Sequence, residues 1–335
     1  MSERNRFWRL VARPHGNDFA AALDLDEGDV PEPGALELLV RNRVLSMDAG
    51  TRMWMNPRED SFQPPTPLGA PVEGTIVGEV VASNHPDFAA GTFVRGYGQW
   101  SDYSIVRPQV IRTALVDPAE DLAEYVGILG ANGWTAYVGV FETGAVRAGE
   151  TFVVSAAAGC TGMLAGQVAK IAGCRVVGIA GGTEKCRYVC DELGFDAALD
   201  YKAGGLAESL RETCPEGVNV YFDNVAGDVL DAVLANMALF GRVAVCGLIG
   251  NYSAEGPVPG PYQFDQVLMK RLRIEGFFSP DFYHREPEFN PYLKAWRDAG
   301  RLRLPIDEVH GLEHTVGAYS KLFEGTNIGK VVVRL

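Results

Sequence analysis

Apolar positions along this chain change their spacing twice, and each change marks a change of architecture. From residue 7 to residue 50 they come in short alternating runs, Phe7–Ala12 and Leu36–Val44, cut by Pro and Gly, which predicts irregular β structure. Further strands are expected at Thr75–Ala82, Phe93–Tyr97 and Tyr103–Val106, with loops at Pro64, Pro65, Pro67 and Pro71. From Gly127 an Ala/Gly-rich helical pattern takes over, ILGANGWTAYVGVFETG. It leads into the stretch Thr151–Gly182, which reads as strand, turn of small residues, helix and a second strand at Arg175–Ala180.

Helices and strands then alternate. Helices are expected at Thr183–Leu193, Gly205–Thr213 and Val229–Leu239, with strands at Ala197–Asp200, Val218–Asp223 and Arg242–Gly247. A less regular repeat follows: helix Phe264–Arg271, strand Arg273–Phe278, helix Glu288–Ala299. Right-handed crossovers of this length build a parallel sheet covered on both faces. Beyond Arg303, a strand near Leu304–Val309, a helix at Glu313–Glu324 and a terminal strand Lys330–Leu335 imply a return to the first domain. The fold class expected is α/β, an N-terminal β domain plus a Rossmann doubly wound parallel sheet, with chemistry in the cleft between them.

The turn Ala157-Ala158-Gly159-Cys160-Thr161-Gly162 is a variant of G-x-G-x-x-G with alanine in first place. Between a strand and a helix, such a turn lets backbone N–H groups and the positive end of the helix dipole hold a pyrophosphate. In NAD-binding folds an acidic side chain about twenty residues later takes the ribose 2′-hydroxyl. Here that place holds Gly181 and Gly182, followed by Lys185, and Tyr201 follows the next strand. Two glycines leave room for a 2′-phosphate and lysine offers it a point charge, so the cofactor expected is NADPH.

Composition narrows the field. The 335 residues are 47% hydrophobic, enough for two cored domains, and a net charge of −13 argues against a nucleic-acid surface. No secretory signal or membrane span is visible, so a cytoplasmic location is expected. The six cysteines, Cys160, Cys174, Cys186, Cys190, Cys214 and Cys246, are absent from the first 159 residues. That leaves no thiolate for a catalytic zinc in the first domain, and no metal is expected. The string His310-Gly311-Leu312-Glu313-His314 matches H-x-x-E-H, but it straddles a strand end with glycine inside, and it reads as surface histidines.

These features together resemble the zinc-independent branch of the medium-chain dehydrogenase/reductase superfamily, in particular its prostaglandin reductase, alkenal double-bond reductase and curcumin reductase group. The motifs are LSMDAGTR (45–52), GWTAY (133–137), AAAGCTG (156–162), GFDAALDYK (194–202), VYFDNVAGDVLD (220–231), CGLIGNYS (246–253) and GTNIGKVVV (325–333). The resemblance implies a GroES-like substrate domain at 1–127, completed by 301–335, and a Rossmann NADPH-binding domain at 128–300, in a homodimer. It puts Lys185, Tyr201 and Asn327 at the 2′-phosphate and Gly159, Cys160, Thr161 and Gly162 at the pyrophosphate. Asn224, Cys246 and Gly247 would flank the nicotinamide half, Phe277 and Phe278 its carboxamide, and Thr135 its ribose. Tyr252 falls at the reacting double bond. The chain departs from the group at Ala49 and Gly50, at Asn132 and at Ser253, which bears on substrate choice.

Without a Lewis acid, hydride transfer is easiest to an acceptor that spreads the incoming charge. An α,β-unsaturated ketone or aldehyde does so, because hydride at the β-carbon yields an enolate that needs a hydrogen bond and a proton. Tyr252, a neutral phenol with an ordinary pKa of about 10, is the expected donor, with water as the substitute. Met53, Trp54 and Met55 with Pro257 and Tyr262 would line a pocket for an apolar or aromatic enone or enal, although the Met-Trp-Met run fits a core or a dimer contact equally well. The alternatives are an NADPH-dependent quinone reductase and a non-catalytic NADPH-binding protein.

Overall fold

The computed structural model describes residues 4–58, 61–110 and 112–335. The chain forms two compact units, one from the residues up to Val126 together with Ile306–Leu335, the other Gly127–Pro305.

The first unit opens with a hairpin of β1 (Arg4–Leu10) and β2 (Leu23–Asp29). The alternation rule missed β2, LDLDEGD, because it carries few apolar residues. It is held instead by cross-strand charge, with Arg4 against Glu27 at 2.8 Å and Asp29 at 2.6 Å, and Arg9 against Asp26 at 3.2 Å. β3 (Leu38–Ser46), a short helix α1 (Thr51–Trp54), β4 (Glu73–Ser83), β5 (Phe93–Gln99), β6 (Tyr103–Val106) and β7 (Ala114–Leu115) follow. Inward residues of these strands, among them Val40, Leu45, Ile76 and Val94, pack around Trp100.

In the second unit α2 (Ala131–Val138) runs directly into a wider π-helical turn at Gly139–Thr143. Then come β8 (Thr151–Ser155), α3 (Cys160–Ile171), β9 (Arg175–Ala180), α4 (Thr183–Asp191), β10 (Ala197–Asp200), α5 (Leu206–Thr213), β11 (Val218–Asp223), α6 (Gly227–Asn236), β12 (Met237–Val245), α7 (Asp265–Met269), β13 (Arg273–Gly276) and α8 (Glu286–Asp298). All neighbouring strands are parallel, in the order β10-β9-β8-β11-β12-β13. This is the doubly wound order that reverses direction between β8 and β11. The helix expected over Val229–Leu239 stops at Asn236, whose amide donates to the carbonyls of Ala232 and Ala207 at 2.8 and 2.9 Å. Met237 turns extended and pairs with Val218, so β12 starts five residues before the expected Arg242.

The chain re-enters the first unit as β14 (Ile306–His310), α9 (Thr315–Glu324) and β15 (Lys330–Arg334). β15 pairs antiparallel with β3, giving the order β14-β15-β3-β4-β5-β7. The expected helix at Glu313–Glu324 begins only at Thr315, because Leu312–His314 form a single 3₁₀ turn. Among the described residues no helix is long and apolar enough to cross a membrane.

Candidate cofactor and active site

The glycine turn sits between β8 and α3. Ala156 takes a positive φ of 49° and the chain then folds back, the Gly159 N–H donating to the Ala156 carbonyl at 2.8 Å. A Cβ at Gly162 would lie 2.2 Å from that same carbonyl oxygen, so glycine is required for helix and strand to approach. Alanine in first place has a partner in the sheet. Ala157 is fully buried, and a Cβ at Gly178 of β9 would come within 2.8 Å of its methyl group, so the missing glycine has moved across to the neighbouring strand. No side chain caps the start of α3, the end of a helix where backbone N–H groups lack an intrahelical partner. Asn132 Nδ2 donates to Thr161 Oγ1 at 3.0 Å, tying the start of α2 to this turn.

The end of β9 leads into the glycine pair and Lys185 expected for the 2′-phosphate. Gly182 has φ of +98° with open space where a Cβ would stand, and its N–H donates to Asp200 Oδ1 at 2.8 Å. The same carboxylate oxygen accepts from the Lys202 N–H at 2.9 Å, so one acid holds both loops. A Cβ at Gly181 would meet Tyr201 Cε1 and Lys202 Cε, each at 2.9 Å. Tyr201 remains 46% exposed. Burial first, and then the Lys202 ammonium, push Lys185 below the ordinary lysine value. Among the described residues neither lysine is ion-paired to a carboxylate. Two cations beside a glycine-lined space fit a doubly charged phosphate. Lys202 escaped the sequence reading, although the Tyr201-Lys202 pair at a strand end was its visible signal.

At the ends of β11 and β12 the backbone is fixed by one buried acid. Asp223 Oδ1 accepts from the Tyr221 hydroxyl at 2.8 Å, Ser155 Oγ at 3.3 Å and the N–H groups of Val225 and Ala226 at 2.9 and 3.0 Å. Its carbonyl accepts from the N–H groups of Cys246 and Gly247 at 2.9 and 3.0 Å. Asn224 is held from both ends, its N–H donating to Ser155 Oγ at 2.9 Å and its amide to the Ser155 carbonyl at 2.8 Å. Burial, then Asp223, push the Cys246 thiol far above its ordinary range, so it stays protonated.

Tyr252 reaches this turn. Its hydroxyl accepts from the Leu248 N–H at 3.1 Å, and a Cβ at Gly247 would lie 3.2 Å from the phenolic oxygen. Burial raises its pKa, with the Leu248 hydrogen bond as the main opposing effect, so the phenol is neutral at physiological pH. Phe277 packs edge-on against Phe222 at 5.9 Å, and a Cβ at Gly139 would strike both rings at 2.4–2.5 Å. Phe278 is half-buried. The Thr135 hydroxyl donates to the Ala131 carbonyl at 2.6 Å, which leaves its oxygen able only to accept from a ribose hydroxyl.

The remaining expected residues are placed as follows. Asn327 is buried, its amide donating to the Gly329 carbonyl at 3.2 Å. Met55 belongs to the core of the first unit with no exposure, which for that residue matches the core alternative rather than the pocket, while Met53 and Trp54 are half-buried. Pro257 and Tyr262 lie exposed, Tyr262 by 78%. His310 and His314 each sit near a different acid, Glu308 at 3.8 Å and Glu313 at 3.9 Å, and among the described residues no group of three or more His, Cys, Asp or Glu could hold a metal. One pairing was not foreseen. The buried Lys330 ammonium donates to Asp48 at 2.6 Å and to the Met47 carbonyl at 3.1 Å, joining the LSMDAGTR and GTNIGKVVV motifs.

A Rossmann-like parallel sheet with an uncapped glycine turn and a cationic second turn, in a chain whose other unit is a mostly antiparallel sheet, defines a dinucleotide-dependent dehydrogenase/reductase class. Two family models agree, the N-terminal domain of oxidoreductase over residues 6–113 and the zinc-binding dehydrogenase over residues 160–295. The NADPH-dependent curcumin reductase of Escherichia coli is 40% identical, the match covering 99% of this chain and 97% of that protein. The 2-alkenal reductase (NADP(+)-dependent) of Nicotiana tabacum is 41% identical over 91% of this chain and 88% of its own. The crystal structure of CurA from Vibrio vulnificus in complex with NADPH superposes with a TM-score of 0.91 at 37% identity, covering 98% of both chains. The chain belongs to the medium-chain dehydrogenase/reductase family, within its curcumin, alkenal and prostaglandin reductase group.

Proposed function

We propose that this protein uses NADPH to reduce the carbon–carbon double bond of α,β-unsaturated ketones or aldehydes. The observation that carries the reading is Tyr252, a neutral phenol whose oxygen takes the Leu248 N–H and whose proton is thereby aimed away from that amide. NADPH, when bound, supplies the hydride that the substrate β-carbon receives. Lys185, Lys202 and Tyr201 would hold its 2′-phosphate, and the first-turn amides of α3 its pyrophosphate. Tyr252 donates a hydrogen bond to the developing enolate or a proton to its α-carbon. The rigid Asp223–Ser155–Asn224 network keeps the turn that carries Tyr252 in register, so little reorganisation is needed as charge develops. Relatives named for curcumin, 2-alkenals, pulegone and prostaglandins support the substrate class. Turnover of a panel of enones, enals and benzoquinones with NADPH, with product analysis, tests the reading. A saturated carbon–carbon bond is the expected product, and turnover of quinones alone would overturn it.

We also propose a homodimer along β13. This strand ends the sheet, its Arg273, Glu275 and Gly276 are exposed, and Leu239, Phe240, Leu268 and Met269 expose large apolar surface around it. The Phe240 N–H donates to the Lys270 carbonyl at 2.8 Å, which fixes that ring next to the strand. Sedimentation equilibrium should give a dimer that Phe240→Glu dissociates; a monomeric wild type would refute it.

A further inference from the structure

We infer that Asn132 is a positioning residue that turns the Thr161 hydroxyl into a donor for the cofactor pyrophosphate. The inference rests on the reading that a nicotinamide dinucleotide binds at the α3 turn. Asn132 is the second residue of α2 and Thr161 the second of α3, and the Asn132 amide nitrogen lies 3.0 Å from Thr161 Oγ1. An amide nitrogen only donates, so the hydroxyl oxygen must accept and its single proton is left to point elsewhere.

The contrast with Thr135 shows what the contact changes. Thr135 gives its proton to the carbonyl one turn back, Ala131, at 2.6 Å. A threonine with a helical turn behind it can take that route, whereas Thr161, second in α3, has no such turn behind it. Thr161 makes no such bond, and it stands in the first turn of a helix that no side chain caps. Its hydroxyl proton and the first-turn amides together form a donor set for an anion, which a second helix holds in place from outside the turn. Asn132 need not touch the cofactor to do this.

Three substitutions in the full-length protein test the inference, read by direct binding rather than turnover. Asn132→Asp replaces the donor by a carboxylate that takes the Thr161 proton for itself and adds negative charge, and should weaken NADPH binding about tenfold or more. Thr161→Val should weaken it by a similar factor, and the double variant Asn132→Asp/Thr161→Val should lose much less than the product of the two. Thr161→Ser, which keeps the hydroxyl, should stay within about twofold of wild type. Binding of 2′-AMP, which carries the 2′-phosphate but no pyrophosphate, should be unchanged in all four. Equal losses for 2′-AMP and NADPH would mean general loosening of the fold and would overturn the inference, as would wild-type NADPH affinity in Asn132→Asp. NADH carries the same pyrophosphate and should lose affinity by the same factor. A wild type that binds NADH as well as NADPH would therefore refute the NADPH assignment while leaving the Asn132 ratio intact.

Discussion

The two ends of the candidate site are built on opposite principles. At the β9 end, Lys202 stands beside Gly181, neither Lys185 nor Lys202 is ion-paired to a carboxylate among the described residues, and Lys185 is held below its ordinary pKa by burial and then by Lys202. At the β11–β12 end, one Asp223 oxygen satisfies two hydroxyls and two backbone amides, and Tyr252 already has its backbone partner. The first end stores unfavourable charge that an anion relieves on binding. The second carries a buried acid instead: burial raises the Asp223 pKa and its Oδ2 has no hydrogen-bond partner among the described residues, but Oδ1 is held by four donors before anything binds. On the proposed reading, affinity and cofactor choice belong to the β9 end, and orientation for reaction to the β11–β12 end.

The contrast can be broken most forcefully at Asp223. Asp223→Ala strands four donors, three of them buried and each of those costing about 1–3 kcal/mol, so a loss of roughly 4 kcal/mol or more is expected in urea unfolding. A loss under about 1 kcal/mol would mean the network is not what holds the turn. Tyr252→Phe should leave NADPH affinity intact and lower kcat by about a hundredfold, since the proton donor is lost together with the acceptor for the exposed Leu248 N–H. Full turnover in that variant would move the donor role to water. Lys185→Ala should raise the NADPH Kd by about tenfold and leave that for NADH unchanged, with Lys202→Ala behaving alike. Equal losses for both nucleotides would remove the 2′-phosphate from this end.

The smallest effect is a pH slope. Because the Lys185 pKa is lowered in the free protein and a bound phosphate would raise it again, NADPH binding takes up a proton in the window just below the ordinary lysine value. Affinity should fall as pH rises through that window, and Lys185→Gln should flatten the slope. The same lowered pKa means the unfolded chain binds more protons there, so Lys185 makes the free protein more stable, not less, as pH rises through the window. A flat NADPH-affinity profile for the wild type would show that Lys185 does not meet the phosphate.

Much of this was readable from order along the chain. The switch from alternating to helical spacing near Gly127, the small-residue turn and the Gly181-Gly182-Lys185 run are local patterns, and backbone conformation answers to local patterns. Strands Ala197–Asp200, Val218–Asp223 and Tyr103–Val106 fall where alternation and apolar content put them. β2 did not, because what stabilises it is charge on a strand thirteen residues or more away in sequence, paired as Arg4 with Asp29. Helix α6 ended early because the side chain of Asn236 closes the helix on itself and on α5, a choice that needs α5 in place.

By itself, then, the sequence determined which backbone each stretch could adopt and which residue types were on offer for a phosphate, a hydride acceptor and a proton. Only the tertiary structure decided which of them meet. Lys202 beside Gly181, Ala157 against Gly178, Asn132 on Thr161 and Lys330 on Asp48 join positions separated by about twenty to nearly three hundred residues. The reason is physical: spacing along a chain sets dihedral angles and faces, whereas a hydrogen bond or ion pair needs two side chains within about 3 Å, and only the packing of sheets and helices sets that distance.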